Sequence, residues 1–123
     1  MHITAAEMEI MQVIWNSDRQ MTTKEIMEQL QGKKITTIVT LAGRLIDKGA
    51  LTSVKIGRSH AHEYSAAISE EEYQQLQTQQ FIRSIHKGSA KSLISSLFQG
   101  DQLTKQDITE LQQFINKKAE EHD

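Results

Sequence analysis

KKITTIVTLAGRLIDKGALTSVKIGR, residues 33–58, is the stretch whose reading decides the fold. Ile38, Leu41, Ala42 and Leu45 recur at i, i+3, i+4 and i+7, which puts them on one stripe of a helix. The opposite face reads Thr36, Thr40, Gly43 and Asp47, with Thr37 and Arg44 at its edge. Gly49 follows Lys48, the arrangement in which a C′ glycine closes a helix behind a cation in its last turn. Then LTSVKIG alternates as a strand, with Leu51, Ser53 and Lys55 on one face and Thr52, Val54 and Ile56 on the other. Gly57-Arg58 makes a turn, and a return strand ends near Tyr64. A helix followed by a basic two-stranded hairpin is the second half of a winged helix.

The same stretch gathers the chain's positive charge. Lys33, Lys34, Arg44, Lys48, Lys55 and Arg58 against Asp47 alone give it a net +5. The remaining 8 basic and 15 acidic residues carry −7, and the whole carries −2. Such segregation is the electrostatic footprint expected of a surface that meets a phosphate backbone, although a solvated helix face rich in lysine would look the same by charge alone. The residue types on the outward face sharpen the expectation. Threonine bonds a base edge or phosphate and offers a methyl to thymine, and arginine forks onto guanine or grips phosphate. The candidate DNA contacts are therefore Lys33, Lys34, Thr36, Thr37, Thr40, Arg44, Lys48, Lys55 and Arg58.

Outward from this stretch, capping boxes mark the other helices. Thr4 with Glu7 opens a first helix to about Asn16, with Met8, Met11, Ile14 and Trp15 on its apolar face. Thr22 with Glu25 opens a short second helix with Ile26, Met27 and Leu30 inward, ended by Gly32. Three short helices and then a hairpin is the winged-helix order. The segment from Ala66 to Ser69 reads as a domain boundary. Beyond it, Ser69 with Glu72 opens a long helix with Tyr73, Leu76, Gln80, Phe81 and Ile85, broken at Gly88. Leu93, Ile94, Leu97 and Phe98 cluster on the next helix. Thr104 with Asp107 opens the last, whose stripe is Ile108, Leu111, Phe114 and Ile115. These helices are amphipathic but too small for a self-sufficient core, so they need a partner surface, of which a second copy is the simplest. Folding back on the winged helix within a monomer is the alternative.

The combined pattern resembles the BlaI/MecI/CopY family of bacterial repressors. Thr37-Ile38-Val39-Thr40-Leu41, Arg44-Leu45, Lys48-Gly49-Ala50-Leu51, Gly57-Arg58 and Tyr64 carry the likeness in the winged helix. Thr4-Ala5-Ala6-Glu7-Met8-Glu9-Ile10-Met11 with Val13-Ile14-Trp15 is similar to the family's first helix, and Leu103 to Leu111 to its last. The resemblance implies a homodimeric repressor on pseudo-palindromic double-stranded operators with TACA/TGTA half-sites. The expected fold is mainly α with a small β-hairpin: an N-terminal winged helix-turn-helix over residues 1–68 and a C-terminal helical dimerisation region over 69–123. Tyr73, Leu76, Phe81, Leu93, Leu97, Ile108, Leu111 and Ile115 are the candidate dimerisation residues. A winged-helix protein–protein interaction module that never touches DNA is the rival reading, and the segregated charge argues against it.

Other chemistry finds little purchase. The sequence has no cysteine, which excludes disulfides and thiolate metal sites. No phosphate-cradling glycine loop or zinc-binding His-Glu helix is present, and no catalytic residue, cofactor or metal site is assigned. Glu70-Glu71-Glu72 suit the positive end of a helix dipole. His60 and His62, two apart on a strand, share a face but lack a third well-spaced ligand. No stretch has the apolar length to span a bilayer, and a cytoplasmic location is expected. In the family, β-lactam-responsive members are cut at an Asn-Phe bond, where this chain has Ser96-Leu97, and copper-responsive members carry a cysteine-rich tail. The inducing signal therefore stays open.

Overall fold

The computed structural model describes residues 1–58 and 61–122. The element order is α1 (Ala5–Ser17), β1 (Met21–Thr22), α2 (Thr23–Gln29), α3 (Ile35–Asp47), β2 (Leu51–Lys55), β3 (His62–Ala66), α4 (Glu70–Ile85), α5 (Ala90–Gln99) and α6 (Lys105–Glu121). The chain divides into two compact units, Met1–Gln75 and Leu76–Asp123.

Local chemistry sets the helix starts. The Thr4 hydroxyl accepts from the Glu7 backbone N–H while the Glu7 carboxylate accepts from the Thr4 backbone N–H, and Thr22 with Glu25 repeats this reciprocal cap on α2. Helix α3 ends in the hydrogen-bond pattern of a Schellman motif. The Ala50 N–H donates to the Leu45 carbonyl at 2.9 Å and the Gly49 N–H to that of Ile46 at 3.0 Å. The φ of +82° at Gly49 is what a residue with a Cβ resists, so glycine allows the chain to turn directly into β2.

The strands form a three-stranded antiparallel sheet in the order β1-β3-β2. The hairpin pairs Leu51 with Ala66 through Lys55 with His62, and β1 adds Met21 opposite Tyr64. Met21, just before the Thr22 cap, carries no strand signal in the sequence. The structure makes it a buried edge-strand residue, a two-residue strand being too short to display any alternation.

The core of the first unit sits between the three helices and one face of the sheet. Ile10, Met11 and Ile14 from α1 meet Ile26 from α2, the Ile38, Leu41, Ala42 and Leu45 stripe of α3, Leu51 and Tyr64. Burying each such aliphatic chain is worth about 1.5–3 kcal/mol, so this stripe holds α3 in place and leaves its other face to solvent. Tyr73, on the first turn of α4, also belongs here. Its hydroxyl accepts from the Ile3 N–H at 3.1 Å, and its ring lies 6.1 Å from that of Trp15. Trp15 in turn donates its indole N–H to the Ile68 carbonyl at 3.0 Å. These contacts carry the first unit past the Ala66–Ser69 segment and into α4.

In the second unit α5 and α6 contain no buried residue. Ser89 caps α5, and Thr104 with Asp107 forms a capping box on α6. Ile94, Leu97, Phe98, Ile108, Leu111 and Ile115 line an open apolar groove of about 400 Å³ between these two helices. Of the candidate dimerisation set, Leu97, Ile108, Leu111 and Ile115 share this groove. Leu93 is half-buried on the same helix, and Leu76 and Phe81 are exposed on α4. Tyr73 must be removed from the set, because it is spent in the core of the first unit. Among the described residues no helix is long and apolar enough to cross a membrane.

Candidate nucleic-acid interface

Because the buried stripe fixes the rotation of α3, the side chains opposite it face outward. Thr36, Thr37, Thr40 and Arg44 are all exposed and, with Leu41, line a shallow open depression. The Thr40 hydroxyl donates to the Thr36 carbonyl at 2.9 Å. Its proton is committed inside the helix, so it presents lone pairs and a methyl outward. Ile35 and Val39 stand about half-exposed on the same helix (48% and 50%). Sequence periodicity left both unassigned, because neither falls on the buried stripe or among the polar residues. Apolar side chains held in water on a helix otherwise lined with threonine are suited to thymine methyls.

The six basic residues of the stretch separate into two groups. Lys34 at the start of α3, Arg44, Lys55 at the end of β2 and Arg58 in the wing turn are exposed. No described carboxylate lies within ion-pair distance of Lys34, Arg44 or Lys55. Lys33 and Lys48 are engaged elsewhere. Lys33 Nζ lies 2.9 Å from Glu9 Oε2, and Lys48 Nζ lies 2.5 Å from Glu7 Oε1, so both reach back to α1. Lys48 also donates to the His2 carbonyl at 2.7 Å. Charge counting placed both lysines with the phosphate contacts, but it had no access to the carboxylates folded beneath them.

Glu7 is fully buried, and its Oε2 has no hydrogen-bond partner among the described residues. Burial pushes its carboxyl up, but the Lys48 ammonium and the hydrogen bonds with Thr4 outweigh that and hold it below the ordinary value. Glu25 at the start of α2 is pulled down to about 2, chiefly by the Arg19 guanidinium at 2.7 Å and then by Thr22.

The wing chemistry is simpler. The His62 ring lies 6.5 Å from that of Tyr64 in a stacked arrangement, while His60 lies outside the described residues. Among the described residues no three His, Cys, Asp or Glu side chains converge as metal ligands would.

A hydroxyl- and arginine-bearing helix face, flanked by exposed cations and carried on three helices and a small sheet, is the build of a winged helix-turn-helix DNA-binding protein. Comparison with known proteins gives the family. The penicillinase repressor family matches residues 3–117, and the chain belongs to that family of transcriptional repressors. It is 33% identical over 118 residues to the penicillinase repressor of Bacillus licheniformis, covering 94% of this chain and 90% of that protein. It is 29% identical over 119 residues to the methicillin resistance regulatory protein MecI of Staphylococcus aureus, covering 94% of each. Among solved structures it is similar to the monomeric form of Bacillus licheniformis BlaI in complex with the blaP half-operator. The two are 37% identical with a TM-score of 0.49, over 59% of this chain and 89% of that one.

Proposed function

We propose that this DNA-binding repressor works as a homodimer on a pseudo-palindromic operator. Residues 1–68 read the DNA and residues 69–123 pair the two copies. Helix α3 lies in the major groove of each half-site, with Arg44 and the threonines toward base edges and Lys34, Lys55 and Arg58 on phosphates. The observation that carries this reading is the exposed Thr36, Thr37, Thr40 and Arg44 face with exposed cations at both ends. A protein-interaction module would have no need to leave Lys34, Arg44 and Lys55 without a described carboxylate within ion-pair distance on a chain whose net charge is −2. The apolar groove of α5 and α6 supports the pairing, because a second copy would cover side chains that this chain leaves in water.

The test is salt-dependent binding of the full chain to a duplex enriched by it from a random pool. Replacing Lys34, Lys55 or Arg58 with Ala should weaken all sequences alike and reduce the slope of log K against log salt by about 0.9 each. Failure to enrich any sequence, with no binding even at low salt, would leave the protein-interaction reading standing instead.

A further inference from the structure

We propose that Lys48 is a positioning residue for the DNA-reading helix and not one of its phosphate contacts. The proposal rests on the operator-binding reading above and assigns this lysine a different role within it. Lys48 is the C-cap of α3, immediately before the left-handed Gly49. Its ammonium holds Glu7 Oε1 in the first turn of α1 and the His2 carbonyl just before that helix. One cation therefore joins the end of the reading helix to the beginning of the chain.

The two partners differ in what they can give up. The Glu7 side chain is 1% exposed and that of Lys48 31%. If Lys48 swung out to a phosphate, it would gain a solvent-screened pair and leave a carboxylate charged and alone in the core. The second loss far exceeds the first gain. Glu7 has little to fall back on, since among the described residues Oε2 has no partner and Oε1 would keep only the Thr4 N–H at 2.9 Å. Lys33 and Glu9 make the instructive contrast. Their side chains are 23% and 53% exposed, so that pair can exchange carboxylate for phosphate at little cost.

A helix that reads base edges must be held within a fraction of an ångström of its working position. The buried stripe sets the rotation of α3, and the Lys48–Glu7 clamp fixes the position of its C-terminal end. Loosening the clamp should blur base contacts while leaving the phosphate contacts of Lys34 and the wing intact.

Glu7→Gln is the discriminating variant, because it keeps the Lys48 charge and removes the carboxylate charge that holds it. Operator and scrambled duplexes of equal length would be titrated with the full chain by fluorescence anisotropy across a salt series, well below the melting temperature of each variant. The operator is the sequence enriched from a random pool by the wild-type chain. Positioning predicts that Glu7→Gln and Lys48→Met each lower the operator-to-scrambled ratio about tenfold, the loss of one well-aligned base contact, with wild-type salt slopes. Lys34→Met should instead flatten the slope by about 0.9 and leave the ratio unchanged. The proposal is overturned if Lys48→Met flattens the slope like Lys34→Met, if Glu7→Gln binds both duplexes as tightly as wild type or tighter, or if both variants keep the wild-type ratio. A pool that enriches nothing removes the operator reading itself, an outcome distinct from all three.

Discussion

Arg44 and Lys48 stand one helical turn apart on α3, yet their surroundings give them different work. Arg44 is exposed with no described carboxylate within ion-pair distance, and replacing it with Ala should weaken operator binding by about 1–3 kcal/mol if it forks onto guanine. Scrambled DNA would then lose much less, and equal losses on both duplexes would make Arg44 a phosphate contact. Gly43 offers a cleaner separation of protein from DNA effects. A Cβ built there meets nothing within 4 Å, so no packing inside the chain requires glycine. Gly43→Ala should therefore stabilise α3 by about 0.5–1 kcal/mol in thermal unfolding. If the backbone of this face closely approaches DNA, the same variant will lose operator affinity while gaining stability. At this scale the sequence displays Thr36, Thr37, Thr40 and Arg44 plainly, since helical spacing alone sorts them from the core. It cannot display the Lys48–Glu7 contact, which joins residues 41 positions apart.

Helix boundaries follow from chemistry within four residues of each end, and that is why Thr4, Thr22, Ser69 and Thr104 were legible as starts. Each hydroxyl accepts from the backbone N–H three residues on, at 3.0–3.2 Å. β1 and the packing of Tyr73 were not legible, because their partners Tyr64, Ile3 and Trp15 are distant in sequence. The cap on α2 makes a prediction about pH. The Glu25 carboxyl is held at about 2 against an ordinary 4.5, so its contribution is fully present above pH 4.5 and is lost as pH falls towards 2. Glu25→Gln should then melt below wild type by a constant margin above pH 4.5, and the two curves should converge towards pH 2. A gap in melting temperature that ignores pH would show that the Arg19 pair and the Thr22 cap contribute nothing through the Glu25 charge.

Across the whole molecule, the two units differ in how much of their apolar surface they bury. The first encloses Ile10, Met11, Ile26, Ile38 and Leu45 completely, whereas the second leaves Phe98, Phe114 and Ile115 about half-exposed. Helices as short as α5 are marginal in water without tertiary packing, so the second unit gains most from a partner. If a second copy covers the α5–α6 groove, folding is linked to association and the melting temperature must rise with protein concentration. Leu97→Asp or Ile115→Asp would place a charge in the paired groove, and sedimentation velocity should report a monomer at concentrations where wild type is a dimer. The first unit contains none of the altered contacts, so each variant should keep its affinity for a single half-site. Only the gain from linking two half-sites about one helical turn apart should disappear. An Asp variant that still sediments as a dimer would move the interface off this groove. One that became monomeric yet bound the full operator like wild type would show that each winged helix reads DNA without help from the other.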